Sequence, residues 1–380
     1  MRILFLSHYA LPHTGGIEVV VDGLGRAFAA RGHEVVHVAS DATRGARGGT
    51  ADGFDVVRLP ALNWLEDRLE VPYPLFGRAL ARTLRREIPR ADVVVANGFL
   101  YEPSVAGLLH ARARRARALR ILVEHVGHVE YGNPGLDRIE ALAIATLGRA
   151  AARAAEAIVV LNAKVAAELR ALAPRRPVVA IGNGVDTDAY HPASAGERAA
   201  IRAELGWDDR PRVLFVGRLV AKKGVDVAVD AARRANGAFE LVVVGPGSLE
   251  HADGVRVLGE LPRDELARLY RAADAFALPS RGEGFPVTAQ EAMASGLPVV
   301  LANDPAYAPI VAGAGEGVRL VEPRGPELSR ALARVLDDAD AHARASAAAV
   351  AHARAAFSWA HAADEYERLF ENVRLRRSGA

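Results

Sequence analysis

The sequence contains no cysteine. That excludes disulfide frameworks, thiol nucleophiles and cysteine-type zinc sites together, and it suits a reducing compartment. Lysine is almost as scarce: of 48 basic residues only Lys164, Lys222 and Lys223 are lysines, and the rest are arginine. A surplus of either charge is missing too. The 48 basic residues face 46 acidic ones for a formal charge of +2, too balanced for the counterion release on which general nucleic-acid binding depends. No apolar run approaches the length of a membrane span, and the opening apolar stretch stops at Ser7-His8, too short for a signal peptide. The expectation is a soluble cytoplasmic protein that binds no nucleic acid.

What is present is the composition of a folded chain. Hydrophobic residues make up 51% and charged residues 25% of 380 positions, which excludes disorder, while the length exceeds one ordinary core and predicts two domains. Short β-branched runs alternate with helical patterns, the sign of parallel sheets built from βαβ units. Seven strands are predicted in the first half, at Arg2–Leu6, Val35–Ala39, Asp55–Arg58, Val93–Ala96, Ile121–Glu124, Ile158–Leu161 and Val178–Ile181. Six follow in the second, at Val213–Val216, Leu241–Val244, Val255–Leu258, Ala275–Leu278, Val299–Leu301 and Val318–Val321. No Gly/Ser or Pro-rich tether separates the halves. Two doubly wound, Rossmann-like α/β domains facing across a cleft are therefore expected, spanning 1–182 and 183–358, with a C-terminal helix at 359–380 returning to the first. Trp359, Tyr366, Leu369 and Phe370 recur on that helix at roughly helical spacing. Ligands of such sheets bind beyond the carboxyl ends of the strands.

Several motifs fail in context. His33-Glu34-Val35-Val36-His37 matches the H-E-x-x-H zinc pattern, but Gly32 ends a helix before it and Val35-Val36 open a strand, on which residues four apart lie roughly 13 Å from each other. Asp186-Thr187-Asp188 and Asp338-Ala339-Asp340 resemble D-x-D metal motifs, but neither follows a strand. No complete G-x-G-x-x-G, Walker A or G-x-S-x-G occurs, which argues against a dinucleotide dehydrogenase, a P-loop enzyme and an α/β-hydrolase.

One constellation holds. Arg281-Gly282-Glu283-Gly284-Phe285-Pro286 follows a predicted strand and runs into Gln290-Glu291-Ala292-Met293-Ala294-Ser295-Gly296-Leu297-Pro298. Pro286 suits a first helical turn, and Gly296 with Pro298 suits its end, so a short helix is expected from Pro286 to Ser295. Glu283 then precedes the helix, Glu291 lies in its second turn, and the amides of Gly284 and Phe285 sit at a helix N-terminus that favours anions. Two carboxylates for sugar hydroxyls and an amide nest for phosphate is one reading. Two solvated glutamates beside a helix start is the other.

Glu283 and Glu291, with seven residues between them inside E-G-F-P and E-A-M-A-S-G-L-P-V-V, resemble the retaining glycosyltransferases of family 4 with the GT-B fold. Gly15-Gly16-Ile17-Glu18, Asn183-Gly184-Val185-Asp186, Gly217-Arg218 through Lys222-Lys223-Gly224, and Val244-Gly245-Pro246-Gly247 stand in the order this family shows. The resemblance implies a hexosyltransferase that moves a sugar from a nucleoside diphosphate to an acceptor hydroxyl without a metal or other cofactor. It places the acceptor on the first domain and the nucleotide on the second. Arg218 and Lys223, at the strand end and the opening of the next helix, would neutralise the leaving diphosphate, with Gly217 beside them and Lys222 the weaker candidate. Gly15 and Gly16 would bring amides to the same diphosphate, unless they form a plain tight turn. Asn183, Gly284, Phe285 and Pro286 complete the donor set, with Glu291 on the ribose, Glu283 on the donor sugar and the backbone at Leu258-Gly259 beside the base. His125 would contact the donor sugar near the acceptor, with His128 as its rival, and a structural or metal-paired histidine remains open.

The chain departs from the family pattern at Asn162, at Asn97-Gly98-Phe99 and at Asn303-Asp304-Pro305-Ala306-Tyr307, which bears on the acceptor side. That acceptor is a sugar, a lipid-linked or a small-molecule hydroxyl. Pro60–Phe76, with Trp64, Leu65, Tyr73 and Phe76, followed by Arg78, Arg82, Arg85, Arg86 and Arg90, allows peripheral contact with the inner membrane face. Local packing beside a solvated helix face is the favoured reading. A GT-B epimerase or hydrolase and a non-catalytic nucleotide-sugar binding protein are the competing functions.

Overall fold

The computed structural model describes residues 1–13, 16–41, 49–51, 53–64, 73–126, 134–161, 163–281 and 285–379. The chain divides into two compact units, Met1–Gly184 with Trp359–Ala380, and Val185–Ser358. The division falls two residues later than the 182/183 boundary expected, and the C-terminal helix, Trp359–Ser378, belongs to the first unit.

The first unit holds β1 (Arg2–Leu6), β2 (Glu34–Ser40), β3 (Gly49–Ala51), β4 (Phe54–Leu59), β5 (Val93–Asn97), β6 (Leu119–Glu124), β7 (Ala157–Val160) and β8 (Val178–Ala180). They form one sheet in the order β3-β4-β2-β1-β5-β6-β7-β8. Seven of these strands are the seven expected and run parallel; β3 is an addition, antiparallel to β4. Its Gly-Thr-Ala sequence has no apolar alternation, so nothing in it reads as a strand.

Both faces of a parallel sheet are covered, and β1 shows how. Ile3 and Phe5 pack into one core with Val21, Leu24 and Phe28 of helix Gly16–Ala30, while Leu4 and Leu6 pack into another with Leu80 and Leu84 of helix Arg78–Glu87. The C-terminal helix closes the first of these cores. Tyr366 and Phe370 lie against Phe28, the Phe28–Phe370 ring centroids 6.0 Å apart. Its first residue, Trp359, is clasped by two glycines: a Cβ on Gly23 would sit 2.2 Å from the indole and one on Gly184 2.4 Å from it.

The second unit holds β9 (Arg212–Val216), β10 (Glu240–Val244), β11 (Val255–Gly259), β12 (Ala275–Leu278), β13 (Val299–Ala302) and β14 (Val318–Val321). All are parallel, in the order β11-β10-β9-β12-β13-β14. This is the doubly wound arrangement, and the strand order reverses between β9 and β12. The corresponding reversal in the first sheet lies between β1 and β5. These two places are where the chain's own topology opens a crevice at a sheet's carboxyl edge.

Phe370 is 1% exposed, so Phe370→Ala is expected to destabilise the chain by about 3–5 kcal/mol, the usual cost of emptying a packed aromatic site. Urea unfolding of the variant checks this. A loss under about 1 kcal/mol would mean that the C-terminal helix is not integral to the first core.

Candidate functional site

The loops at the carboxyl edge of the second sheet are tied to one another by backbone. After β9, the Gly217 amide donates to the Val244 carbonyl (2.9 Å) and the Leu219 amide to the Pro246 carbonyl (2.9 Å), while the Gly245 amide donates to the Gly259 carbonyl (2.8 Å). Glycine is required at this seam. Gly245 has φ +139°, and a Cβ there would lie 2.1 Å from the Gly217 carbonyl oxygen. Leu258 and Gly259 are half-buried at the end of β11, within this seam.

The adjacent lysines sit in a 3-10 turn, Ala221–Lys223, followed by Gly224 at φ +73° and helix Val225–Arg234. Lys223 therefore precedes the helix cap instead of opening the helix, which corrects the expected register by a short turn. A Cβ on Gly224 would lie 2.5 Å from the Pro279 carbonyl oxygen, and the Arg281 amide donates to the Lys222 carbonyl at 3.0 Å. The cationic turn is thus pinned to the segment after β12. The Lys223 side chain runs past Gly217, within 3.7 Å of where a Cβ would stand. It is half-buried, whereas Arg218 and Lys222 are exposed.

Glu283, Gly284, Gly15, His128 and Asn162 lie outside the described residues. Beyond Glu283, Phe285 stacks on Phe357 (5.3 Å) and meets Tyr307 edge-on (5.6 Å, 89°), and Pro286 caps helix Val287–Ala294, which is shorter than expected by one residue at each end. Tyr307, whose hydroxyl lies 3.3 Å from Ser280 Oγ, shows what the unusual loop after β13 contributes: it braces Phe285. Phe285 is a packing residue here, not one presented to solvent. A cavity of about 400 Å3 is lined by Ser280, Arg281, Asn303, Asp304, Glu322 and Arg324, at the ends of β12, β13 and β14.

Glu291 is not a solvated glutamate. The Tyr270 hydroxyl lies 3.2 Å from its Oε2, and the Tyr190 ring stands edge-on to Tyr270 at 5.5 Å. Burial pushes the Glu291 carboxyl up to about 7, partly offset by the two tyrosines and by Arg263. One such donor leaves a carboxylate with lone pairs for further hydroxyls. Sequence reasoning missed both tyrosines. The available signal was Tyr270 on the buried face of a helix that also buries Ala267 and Leu269, where a phenol must find a partner. The D-x-D pairs are turn formers: Asp186 Oδ1 accepts from the amides of Asp188 and Ala189, and Asp338 Oδ1 from those of Asp340 and Ala341. Asn183 is half-buried beside Gly184.

In the first unit, His125 follows β6, and its Nε2 lies 3.2 Å from Asn97 Oδ1, while Asn97 Nδ2 donates to the Leu6 carbonyl (3.3 Å). The departure at Asn97 is what orients this histidine. Burial lowers His125 to about 4, so its ring is neutral at pH 7. Sequence reasoning overlooked His8, which follows β1, stacks on Tyr101 (3.8 Å, 3°) and has Nε2 3.5 Å from Glu18 Oε1. Burial, then His13, His125 and His37, lower it to about 3. His37, bonded to Ser7 Oγ at 2.7 Å, is lowered to about 3 by burial and Arg58. His33 bonds instead to Met1 and Glu367, so the H-E-x-x-H histidines diverge. Gly16 is exposed, and a Cβ there would meet none of the chain's described atoms within 4 Å.

The Pro60–Phe76 region divides between its two readings. Tyr73 donates to the Leu100 carbonyl (2.8 Å) and Phe76 is buried, while Leu62 and Trp64 are exposed; Leu65 lies outside the described residues. Helix Arg78–Glu87 turns Leu80 and Leu84 inward and Arg78, Arg82, Arg85 and Arg86 outward, a solvated face. No helix among the described residues is long and apolar enough to cross a membrane.

Each half of the chain matches a family model of its own. Residues 14–189 match "Glycosyltransferase Family 4" and residues 197–352 match "Glycosyl transferases group 1". The chain belongs to the family-4-type glycosyltransferases with the GT-B fold. Curated relatives include the D-inositol 3-phosphate glycosyltransferase of Nocardia farcinica, 36% identical over 50% of this chain and 47% of that protein. That of Segniliparus rotundus is 39% identical over 48% and 44%. The chain spans about half the length of these relatives. Solved structures sharing the fold include the sucrose-phosphate synthase of Thermosynechococcus elongatus (21% identical, TM-score 0.70, 99% of both chains). HepE of Anabaena in complex with UDP is 18% identical, with TM-score 0.70 over 98% of this chain and 100% of that one.

His8, His37 and His125 all have folded-state values below the unfolded value near 6.5. The unfolded chain therefore binds more protons, and stability present above pH 6.5 is lost as pH falls toward 4. His125→Gln is expected to reduce the slope of stability against pH in this window by about one proton, or about 1.4 kcal/mol per pH unit. Urea unfolding between pH 7 and 4.5 checks it, and an unchanged slope would mean that His125 is protonated in the folded chain.

Proposed function

We propose that this chain transfers a sugar from a nucleoside diphosphate to an acceptor hydroxyl, with retention at the anomeric carbon and without a metal. The observation that carries the reading is the backbone bond from Arg281 to Lys222, which joins the cationic turn to the segment leading to Glu291. A diphosphate set against Arg218 and Lys223 would leave its nucleoside within reach of the Glu291 carboxyl. The bond from the anomeric carbon to the diphosphate oxygen breaks, the acceptor oxygen takes its place on the same face, and the acceptor proton passes to the departing phosphate. Lys223 and Arg218 oppose the charge that grows on that phosphate, a contribution larger in the transition state than in the bound donor.

Glu283 is assigned to the donor sugar and Glu291 to the ribose; both assignments rest on the family pattern. The acceptor belongs to the first unit, where His125, Asn97 and His8 present neutral polar groups suited to hydroxyls. The names of the curated relatives make D-inositol 3-phosphate the first acceptor to assay, and HepE, solved with UDP-glucose, makes UDP-sugars the first donors.

The test is steady-state transfer by the full chain in EDTA, beside Lys223→Ala and Lys222→Ala. Transfer should survive EDTA, and Lys223→Ala should lower kcat by about a hundredfold, as the loss of one stabilising donor does. Lys222→Ala should be mild. Loss of transfer restored only by Mg2+ or Mn2+ would contradict the metal-free reading, and donor consumption without acceptor would favour an epimerase or hydrolase.

A further inference from the structure

Glu291 is enclosed by residues from two other elements, and these are joined to each other. Tyr270, on helix Arg263–Ala272, is fully buried, and its hydroxyl lies 3.2 Å from Glu291 Oε2 and 3.1 Å from the Thr288 carbonyl. Its single proton must be divided between the two. Tyr190, 2% exposed, stands in the turn that follows Asp186, its ring meets Tyr270 edge-on at 5.5 Å, and its phenol favours the ionised form of the Glu291 carboxyl. Asp186 builds that turn by accepting from the amides of Asp188 and Ala189, and its own carbonyl accepts from the Tyr190 amide at 2.9 Å. The circuit closes through Arg263, at the start of the Tyr270 helix. Its guanidinium pairs with Asp186 Oδ2 at 3.3 Å and lies over the Tyr190 ring at 5.8 Å.

We propose that Tyr190 and Tyr270 are positioning residues that fix the orientation and the charge of the Glu291 carboxylate toward the ribose of a nucleoside diphosphate, with Asp186 and Arg263 holding Tyr190 in place. This rests on the reading above that Glu291 faces the ribose. Two phenylalanines would fill the same volume, and burying two phenol hydroxyls is costly unless each is bonded. The hydroxyls have a use only if the carboxyl between them must stay ionised where burial disfavours it. The titratable and charged groups acting on Glu291 are Tyr270 and Arg263 from the helix and Tyr190 from the turn, and all three favour the ionised form. An ionised carboxylate accepts from both ribose hydroxyls; a protonated one must give up an acceptor site to its own proton.

The experiment is calorimetric titration of the full chain with UDP, GDP and ADP between pH 6 and 9, for the wild type, Tyr270→Phe, Tyr190→Phe, Arg263→Gln and Glu291→Gln. Glu291→Gln carries only the ligand's own phosphate titration and supplies the baseline. Relative to it, wild-type affinity should rise with pH through a midpoint near that of the carboxyl and then level off. Each Tyr→Phe change should move that midpoint upward by about one unit, weakening binding up to about tenfold near pH 7 and little near pH 9. Arg263→Gln should move it the same way, and kcat at saturating donor should stay within about twofold of wild type in all three.

Failure to bind any of the three nucleotides would sink the functional reading itself. Binding by the wild type that Glu291→Gln leaves unchanged would overturn the proposal alone, since the carboxyl would not face the ligand. Tyr→Phe variants that keep the wild-type midpoint, or that lose affinity equally at every pH, would also overturn it, leaving the tyrosines a packing role.

Discussion

Close backbone approach at the carboxyl edge of the second sheet is the constraint from which the candidate site follows. Gly245 lies against the Gly217 carbonyl and Gly224 against the Pro279 carbonyl, each so near that a Cβ would overlap the oxygen. Because these contacts involve main chain, they cannot be relieved by a side chain turning away. They fix the loop after β9 between those after β10 and β12. The backbone that carries Arg218, Lys222 and Lys223 is thereby fixed at the sheet edge.

Charge is distributed differently in the two units. The edge of the second carries exposed arginine and lysine beside a carboxyl that burial pushes up to about 7. The edge of the first carries His8 and His125, which burial keeps neutral. An anionic leaving group suits the former, and a hydroxyl whose proton must be accepted without a competing charge suits the latter. The same arrangement has a stability cost. Neutral histidines weaken the chain in acid, and a glutamate whose folded-state value is raised weakens it once the pH passes its unfolded value. Sites that perturb ionisation in this way are where chemistry is commonly found.

Strands were the most legible part of the sequence, because parallel strands covered on both faces read as unbroken apolar runs such as Leu241–Val244 and Val93–Ala96. Among the described residues, the Gly-Thr-Ala edge strand escaped, since its sequence holds no such run. Motif spacing located Glu291, but not what surrounds it. Tyr190 and Tyr270 come from a turn and a helix that the spacing of Glu283 and Glu291 says nothing about, and only the folded chain brings them to one carboxyl. Lys223 was assigned to the right loop and to the wrong kind of turn, because Gly224 in the left-handed region inserts a cap between lysine and helix. His8 passed unnoticed because a histidine after a first strand has no pattern of its own. Asn97 looked like a lost family feature and is instead the group that orients His125.

In the function proposed here, the carboxyl edge of the second sheet receives a nucleoside diphosphate through cations and not through a metal. Calorimetry of the full chain with UDP, GDP and ADP in EDTA, repeated with Arg218→Ala and Lys223→Ala combined, tests it most directly. At least one nucleotide should bind in EDTA, added Mg2+ should leave its affinity unchanged, and the double variant should lose it. Binding that appears only with Mg2+, or that survives the loss of both cations, would mean that Arg218 and Lys223 do not hold the diphosphate.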